Sequence, residues 1–146
     1  MKIAVGNDHA AVDMKFQVVD YLKEKGHEVI NVGIDTVERC NYPVYGKKVA
    51  DLVAAGEVDC GVLICGTGIG IGLAANKVKG IRAATVSEAV SARLAKEHNN
   101  ANIITFGARI IGPETAFSIL DAYLGAEFLG GRHAERVAMI MDLENE

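Results

Sequence analysis

From Cys65 the chain reads Cys-Gly-Thr-Gly-Ile-Gly-Ile-Gly, with glycine at every second position through Gly72. Such a run lets backbone approach a ligand closely, and its N–H groups can form a concave nest for an anion. It is not the dinucleotide fingerprint G-x-G-x-x-G, because the third glycine would fall on Ile71 or Leu73. It is not a Walker loop either, since no G-K-[ST] is present. A tight turn that needs glycine only for packing is the plainer reading, yet four alternating glycines exceed what a turn requires. Cys65 opens this run. Cysteine is usually buried and inert. A thiol among convergent N–H groups at a helix start is instead favoured as thiolate, ready to act as base or nucleophile. Position alone leaves both readings open.

Other polar residues can be placed around that loop. Asp8-His9 follows the first apolar run, where a surface turn would also favour these types. His98-Asn99-Asn100 closes a helical stretch just before another apolar run, toward the ligand edge or just before it. A histidine there can simply answer the helix dipole. His27 has no such setting. Arg132 and Arg136 lie four apart, on one helical face beside Gly130-Gly131, and Arg109 stands alone. These can be solvated charges, but two arginines at that spacing suit bidentate capture of a phosphate. No H-x-H or H-x-x-x-H pair suggests a metal. A thiol, an amide nest, one or two histidines and several arginines suit proton transfer beside a carbonyl in a phosphorylated substrate.

The elements that must hold these groups alternate. Lys2–Gly6 reads as a strand, followed by a helix over residues 11–25. That helix turns Val12, Phe16, Val19 and Leu22 inward and Lys15, Asp20, Lys23 and Glu24 outward. Residues 27–32 form a second strand, 33–41 a polar stretch, and a helix runs from about Tyr42 to Ala55. Cys60–Cys65 is almost wholly apolar, the mark of a central strand covered on both faces. A helix through Lys77 follows the glycines. Ile81–Val86 is a fourth strand, and Ser87 caps a helix that ends near His98. Ile103–Phe106 is a fifth strand, Pro113 starts a helix that reaches Leu124, and a last helix spans about His133–Leu143. Five strands alternating with helices predict an α/β sandwich around a parallel sheet, with ligands beyond the carboxyl ends of the strands.

Length and composition bound the rest. One hundred and forty-six residues, half of them apolar, make a single domain with a filled core. The net charge of −4 argues against a nucleic-acid binder. No apolar run approaches the roughly 20 residues that span a bilayer. The N-terminus MKIAVGNDH shows no export signal, which predicts a cytoplasmic protein. Three cysteines without a C-x-x-C pair are no disulfide framework. Cys60 and Cys65, at the two ends of one strand, lie roughly 16 Å apart and cannot pair. Cys40 and Cys60 read as structural.

The chain resembles the type B ribose-5-phosphate isomerases, a group that also contains allose-6-phosphate and galactose-6-phosphate isomerases. The resemblance covers essentially the whole chain. It rests on G-N-D-H from Gly6, Asn41-Tyr42-Pro43, ICGTGIGIGLAANKVKGIRA from Ile64, HNNANIITFGAR from His98, and GGRHAERV from Gly130. It implies a Rossmann-like three-layer α/β/α fold around a five-stranded parallel sheet with an extra C-terminal helix. It also implies a homodimer, or a dimer of dimers, with active sites at the subunit interface. By this resemblance Cys65 is the base that moves a proton between C1 and C2 through a cis-enediolate, and the amides from Gly66 through Gly68 and Ile69 to Gly70 hold the oxyanion. His98 of the neighbouring subunit opens the furanose ring, assisted by Thr67. Asp8, His9 and Asn99 match substrate contacts, and Arg109, Arg132 and Arg136 match phosphate and substrate contacts. An apolar Ile71 where another branch carries a glutamate base assigns the chain to the cysteine branch. The family needs no metal or organic cofactor.

Three other functions compete with a pentose-phosphate isomerase. The same chemistry could act on a 6-phosphohexose, since pocket depth is not legible in sequence. A non-catalytic sugar-phosphate sensor could use the same nest and arginines, but it would need neither Cys65 nor His98. A redox switch on Cys65 would lack a resolving cysteine nearby.

Overall fold

The computed structural model describes residues 1–146. Its strands are β1 (Lys2–Asn7), β2 (Glu28–Asn31), β3 (Cys60–Cys65), β4 (Ala83–Thr85) and β5 (Ile103–Gly107). They form one sheet in the order β2-β1-β3-β5-β4, and every pairing is parallel. All six residues of β3 are buried, as its unbroken apolar run requires at the middle of such a sheet.

Successive side chains of each strand point to opposite faces. Ile3, Val5, Val62, Ile64 and Phe106 meet α1 (Val12–Glu24), α4 (Ala89–Asn99) and α5 (Pro113–Leu124) on one face. Ala4, Leu63, Cys65 and Ile103 meet α2 (Tyr42–Ala54) and α3 (Ile69–Ala75) on the other. The result is the three-layer α/β/α sandwich. The last helix, α6 (Arg132–Asp142), lies against α4 and buries none of its residues.

The topology creates a crevice. From β1 the chain moves outward to β2 through α1, and from β3 it moves the opposite way to β4 through α3. The loops after β1 and β3 therefore diverge at neighbouring carboxyl ends, where open α/β sheets take their ligands.

Three local expectations change. In α1 the buried residues are Val12, Met14, Lys15, Val18, Val19 and Leu22, so Lys15 faces inward and Phe16, 41% exposed, faces out. Lys15 is tolerated because its ammonium donates to Asn31 Oδ1, the Ile34 carbonyl and the Asp35 carboxylate. β4 is shorter than expected because side chains take the backbone groups before it. Asn102 Oδ1 accepts the Arg82 N–H at 2.8 Å, and the Asn76 amide brackets Ala83. The cap of α4 is Glu88 rather than Ser87, its carboxylate accepting the Ser91 N–H at 3.0 Å.

Candidate active site

Cys65 is the last residue of β3 and is 4% exposed. Its sulfur accepts the Gly68 N–H at 3.1 Å. Gly68 has φ +79°, and a Cβ there would fall 2.6–2.8 Å from backbone atoms of Phe106, so only glycine can turn the loop back onto the thiol. Thr67 Oγ1 accepts the Ile69 N–H at 3.1 Å. The neighbouring glycines leave room for side chains at the crevice. A Cβ at Gly66 would meet Arg109 at 3.4 Å, and one at Gly70 would meet the Tyr42 ring at 2.7 Å. Close packing against Phe106, Tyr42 and Thr85 therefore accounts for Gly68, Gly70 and Gly72, and only Gly66 lacks so close a neighbour.

The loop after β5 closes over the same edge. Ala108 and Arg109 donate their N–H groups to the Cys65 and Gly66 carbonyls at 2.9 and 3.0 Å. The Arg109 side chain is thus laid along the glycine loop.

Asp8 and His9 approach from the adjacent β1. The Asp8 N–H donates to the Ile64 carbonyl at 3.2 Å, which ties this turn to the end of β3. The Asp8 carboxylate, 6% exposed, accepts the Ala10 N–H at 3.0 Å. His9 Nδ1 accepts the Cys40 N–H at 3.2 Å, which places a ring proton on Nε2. A cavity of about 380 Å³ opens beside His9, walled by Met14, Ala108, Ile111 and Pro113.

The other candidate residues stand elsewhere. His98 and Asn99 end α4, which precedes β5, so they lie at the amino edge of the sheet. The expectation that they sit toward the ligand edge is corrected. A strand's length, roughly 16 Å, separates that edge from Cys65. His98 stacks on His133 of α6, with ring centroids 4.4 Å apart and planes within 8°. Loss of hydration, then the charges of His98, Arg132 and Arg136, lower the proton affinity of His133. The cluster is an electropositive corner that suits an anion. Arg82 donates to the Asn99 and Asn100 carbonyls at 3.1 and 2.8 Å, closing the end of α4. Asn99 and Arg82 also border a cavity of about 430 Å³ beneath α6.

One chain therefore brings together Cys65, Thr67, the loop amides, Arg109, Asp8 and His9. It holds His98, Asn99, Arg132 and Arg136 apart from them, as a second group. Sequence reasoning missed His133, Arg82, Lys15 and the Cys40 amide. Only His133 carried a signal, its place between two arginines in GGRHAER. Cys60, buried at the far end of β3, has its thiol pushed up to about 12 by burial. No three His, Cys, Asp or Glu side chains converge as metal ligands.

A sequence model of the family described as Ribose/Galactose Isomerase matches residues 3–140. Ribose-5-phosphate isomerase B of Escherichia coli (strain K12) is 51% identical over 143 residues, covering 98% of this chain and 96% of that protein. The galactose-6-phosphate isomerase subunit LacB of Clostridium acetobutylicum is 45% identical, covering 100% of this chain and 86% of that protein. The solved structure of Clostridium thermocellum ribose-5-phosphate isomerase B superposes with a TM-score of 0.98 at 49% identity, covering 99% of this chain and 98% of that one.

Proposed function

The chain belongs to the ribose/galactose isomerase family, and on that premise we propose that it interconverts ribose 5-phosphate and ribulose 5-phosphate in the cytoplasm, with Cys65 as the base. The observation that carries this reading is the Cys65 sulfur at the carboxyl end of β3, 3.1 Å from the Gly68 nitrogen, in a loop along which the Arg109 side chain lies at Gly66. As thiolate, Cys65 removes the proton from C2 of the open-chain aldose and returns it to C1. The hydroxyl proton passes from O2 to O1 as the cis-enediolate becomes the ketose. Backbone N–H groups from Gly66 through Gly70 meet the charge that develops on oxygen, where fixed donors act most strongly. Asp8 and His9 bind the sugar, and Arg109 binds the phosphate end.

Ring opening needs a general acid, and His98 supplies it from a second copy of the chain, assisted by Thr67, with Asn99 contacting the substrate and Arg132 and Arg136 the phosphate. Two observations support a shared site. The His98 group stands a strand's length from its own Cys65, and α6 presents Met139 and Ile140 to solvent on the element that carries both arginines. The reaction requires no metal or organic cofactor, since the proton moves within one substrate.

Turnover of ribose 5-phosphate tests this directly, with allose 6-phosphate alongside and Cys65→Ala as control. A general base contributes about 10²–10⁴-fold, so Cys65→Ala is expected to lose turnover to that extent while still binding substrate. Arg136→Ala is expected to raise KM instead. The kinship with a galactose-6-phosphate isomerase subunit makes a 6-phosphohexose the second reading, and preference for the hexose would select it. Phosphosugar binding without turnover of either would overturn catalysis in favour of a sensor.

A further inference from the structure

Thr105 is a hydroxyl in an otherwise apolar strand. It is fully buried between Ile104 and Phe106, where an unbonded hydroxyl would be costly and valine would fill nearly the same space. Its Oγ1 lies 2.8 Å from the Gly68 carbonyl oxygen. The residue directly across the ladder on β4 is Thr85, whose Oγ1 lies 2.8 Å from Thr105 Oγ1 and 3.3 Å from the same carbonyl. Two hydroxyls have two protons for these three contacts. The two short contacts take them, so Thr85 donates to Thr105 and Thr105 donates to Gly68. Space for the pair exists because residue 72 is glycine. A Cβ there would fall 2.9 Å from Thr85 Oγ1 and 3.1 Å from Thr105 Oγ1.

Gly68 is thereby held at both ends. Its carbonyl accepts the Thr105 hydroxyl at 2.8 Å and, at a longer 3.3 Å, the Gly72 N–H, and its own N–H rests on the Cys65 sulfur. A donor on that carbonyl also polarises the peptide it shares with Ile69, whose N–H holds Thr67 Oγ1 at 3.1 Å. We propose that Thr105, seconded by Thr85, is a positioning residue that fixes the Gly68 peptide and so holds the loop N–H groups on the thiol and the developing oxyanion. The inference rests on Cys65 being the base. Neither threonine touches substrate, so the effect falls on the chemical step rather than on binding.

The test compares Thr105→Val, Thr105→Ser and Thr85→Val with the intact enzyme. Misplacing preorganised donors is costly, so Thr105→Val is expected to lower kcat about tenfold with KM within about twofold. Serine, which keeps the hydroxyl, restores kcat. Thr85→Val, at an exposed position that the fold tolerates, gives a smaller loss, about threefold. Alkylation of Cys65 by iodoacetamide without substrate, followed by peptide mapping, slows in the valine variant and recovers in the serine variant. A valine variant that turns over and alkylates like the parent would overturn the proposal, as would equal loss in valine and serine. Absence of isomerase turnover in the parent would instead defeat the functional reading, and the alkylation series would still judge the threonines.

Discussion

Lys15 has no exposed surface, yet its ammonium finds oxygens at the last residue of β2 and in the turn that follows. Removing the lysine strands little. The Ile34 carbonyl keeps the Asn7 amide at 3.0 Å, Asn31 Oδ1 keeps the Gly33 N–H, and the Asp35 carboxylate keeps the Asn31 amide and solvent. Removing Asp35 instead leaves a buried cation with neutral acceptors only. Asp35→Ala is therefore expected to cost about 2 kcal/mol and Lys15→Met about 1 kcal/mol, the first discounted because Asp35 is 58% exposed. Urea denaturation of the two variants checks the order, and a larger loss in Lys15→Met would refute it. Lys15 was not legible in sequence because a lysine at helical spacing ordinarily points to water. The turn that follows Cys65 was legible from its glycines, although the neighbours that require them, Phe106, Tyr42 and Thr85, were not. Thr105 and Thr85 read as ordinary strand residues, since nothing local indicates that they share a carbonyl 37 and 17 residues away.

Each strand was recognisable from its own composition, but the insertion of β5 between β3 and β4 was not. Strand order is decided by pairing between distant segments, and no local pattern encodes it. That insertion brings Gly107 beside Cys65. His98 stands at the amino edge for a different reason, since a helix that joins two parallel strands ends where the second begins. The amino ends of β1 and β2 offer a measurement at this scale. His27 immediately precedes β2 with its Nδ1 3.1 Å from the Met1 nitrogen, and the Glu28 N–H donates to the Met1 carbonyl at 3.0 Å. Loss of hydration, and then the Met1 ammonium, lower the proton affinity of His27 in the folded chain. The unfolded chain binds this proton at about pH 6.5, so it binds more protons than the native state just below that pH. The contribution of His27 is full above about pH 6.5 and is lost as pH falls toward the lower native value. The urea midpoint is expected to drop between pH 7 and pH 5, with a shallower drop in His27→Gln. An unchanged slope in that variant would exclude this source.

On the scale of the whole molecule, the two groups of site residues lie at opposite ends of one parallel sheet, and the proposed site accordingly takes its thiol from one copy and its histidine from another. Mixing inactive Cys65→Ala and His98→Ala proteins after reversible dissociation tests this. Half of randomly reassorted dimers are mixed, and each mixed dimer holds one intact and one doubly defective site. Recovery of roughly a quarter of parental turnover is expected. No recovery, with mixed dimers demonstrated, would place both groups in one subunit. The last helix was legible, but the exposure of its Met139 and Ile140 was not. A catalyst divided in this way between opposite edges is also divisible by heredity. After gene duplication, one copy can lose its histidine edge and the other its thiol edge, and the pair still makes one working site per dimer. Each gene then becomes indispensable to the other, although neither encodes a working enzyme by itself.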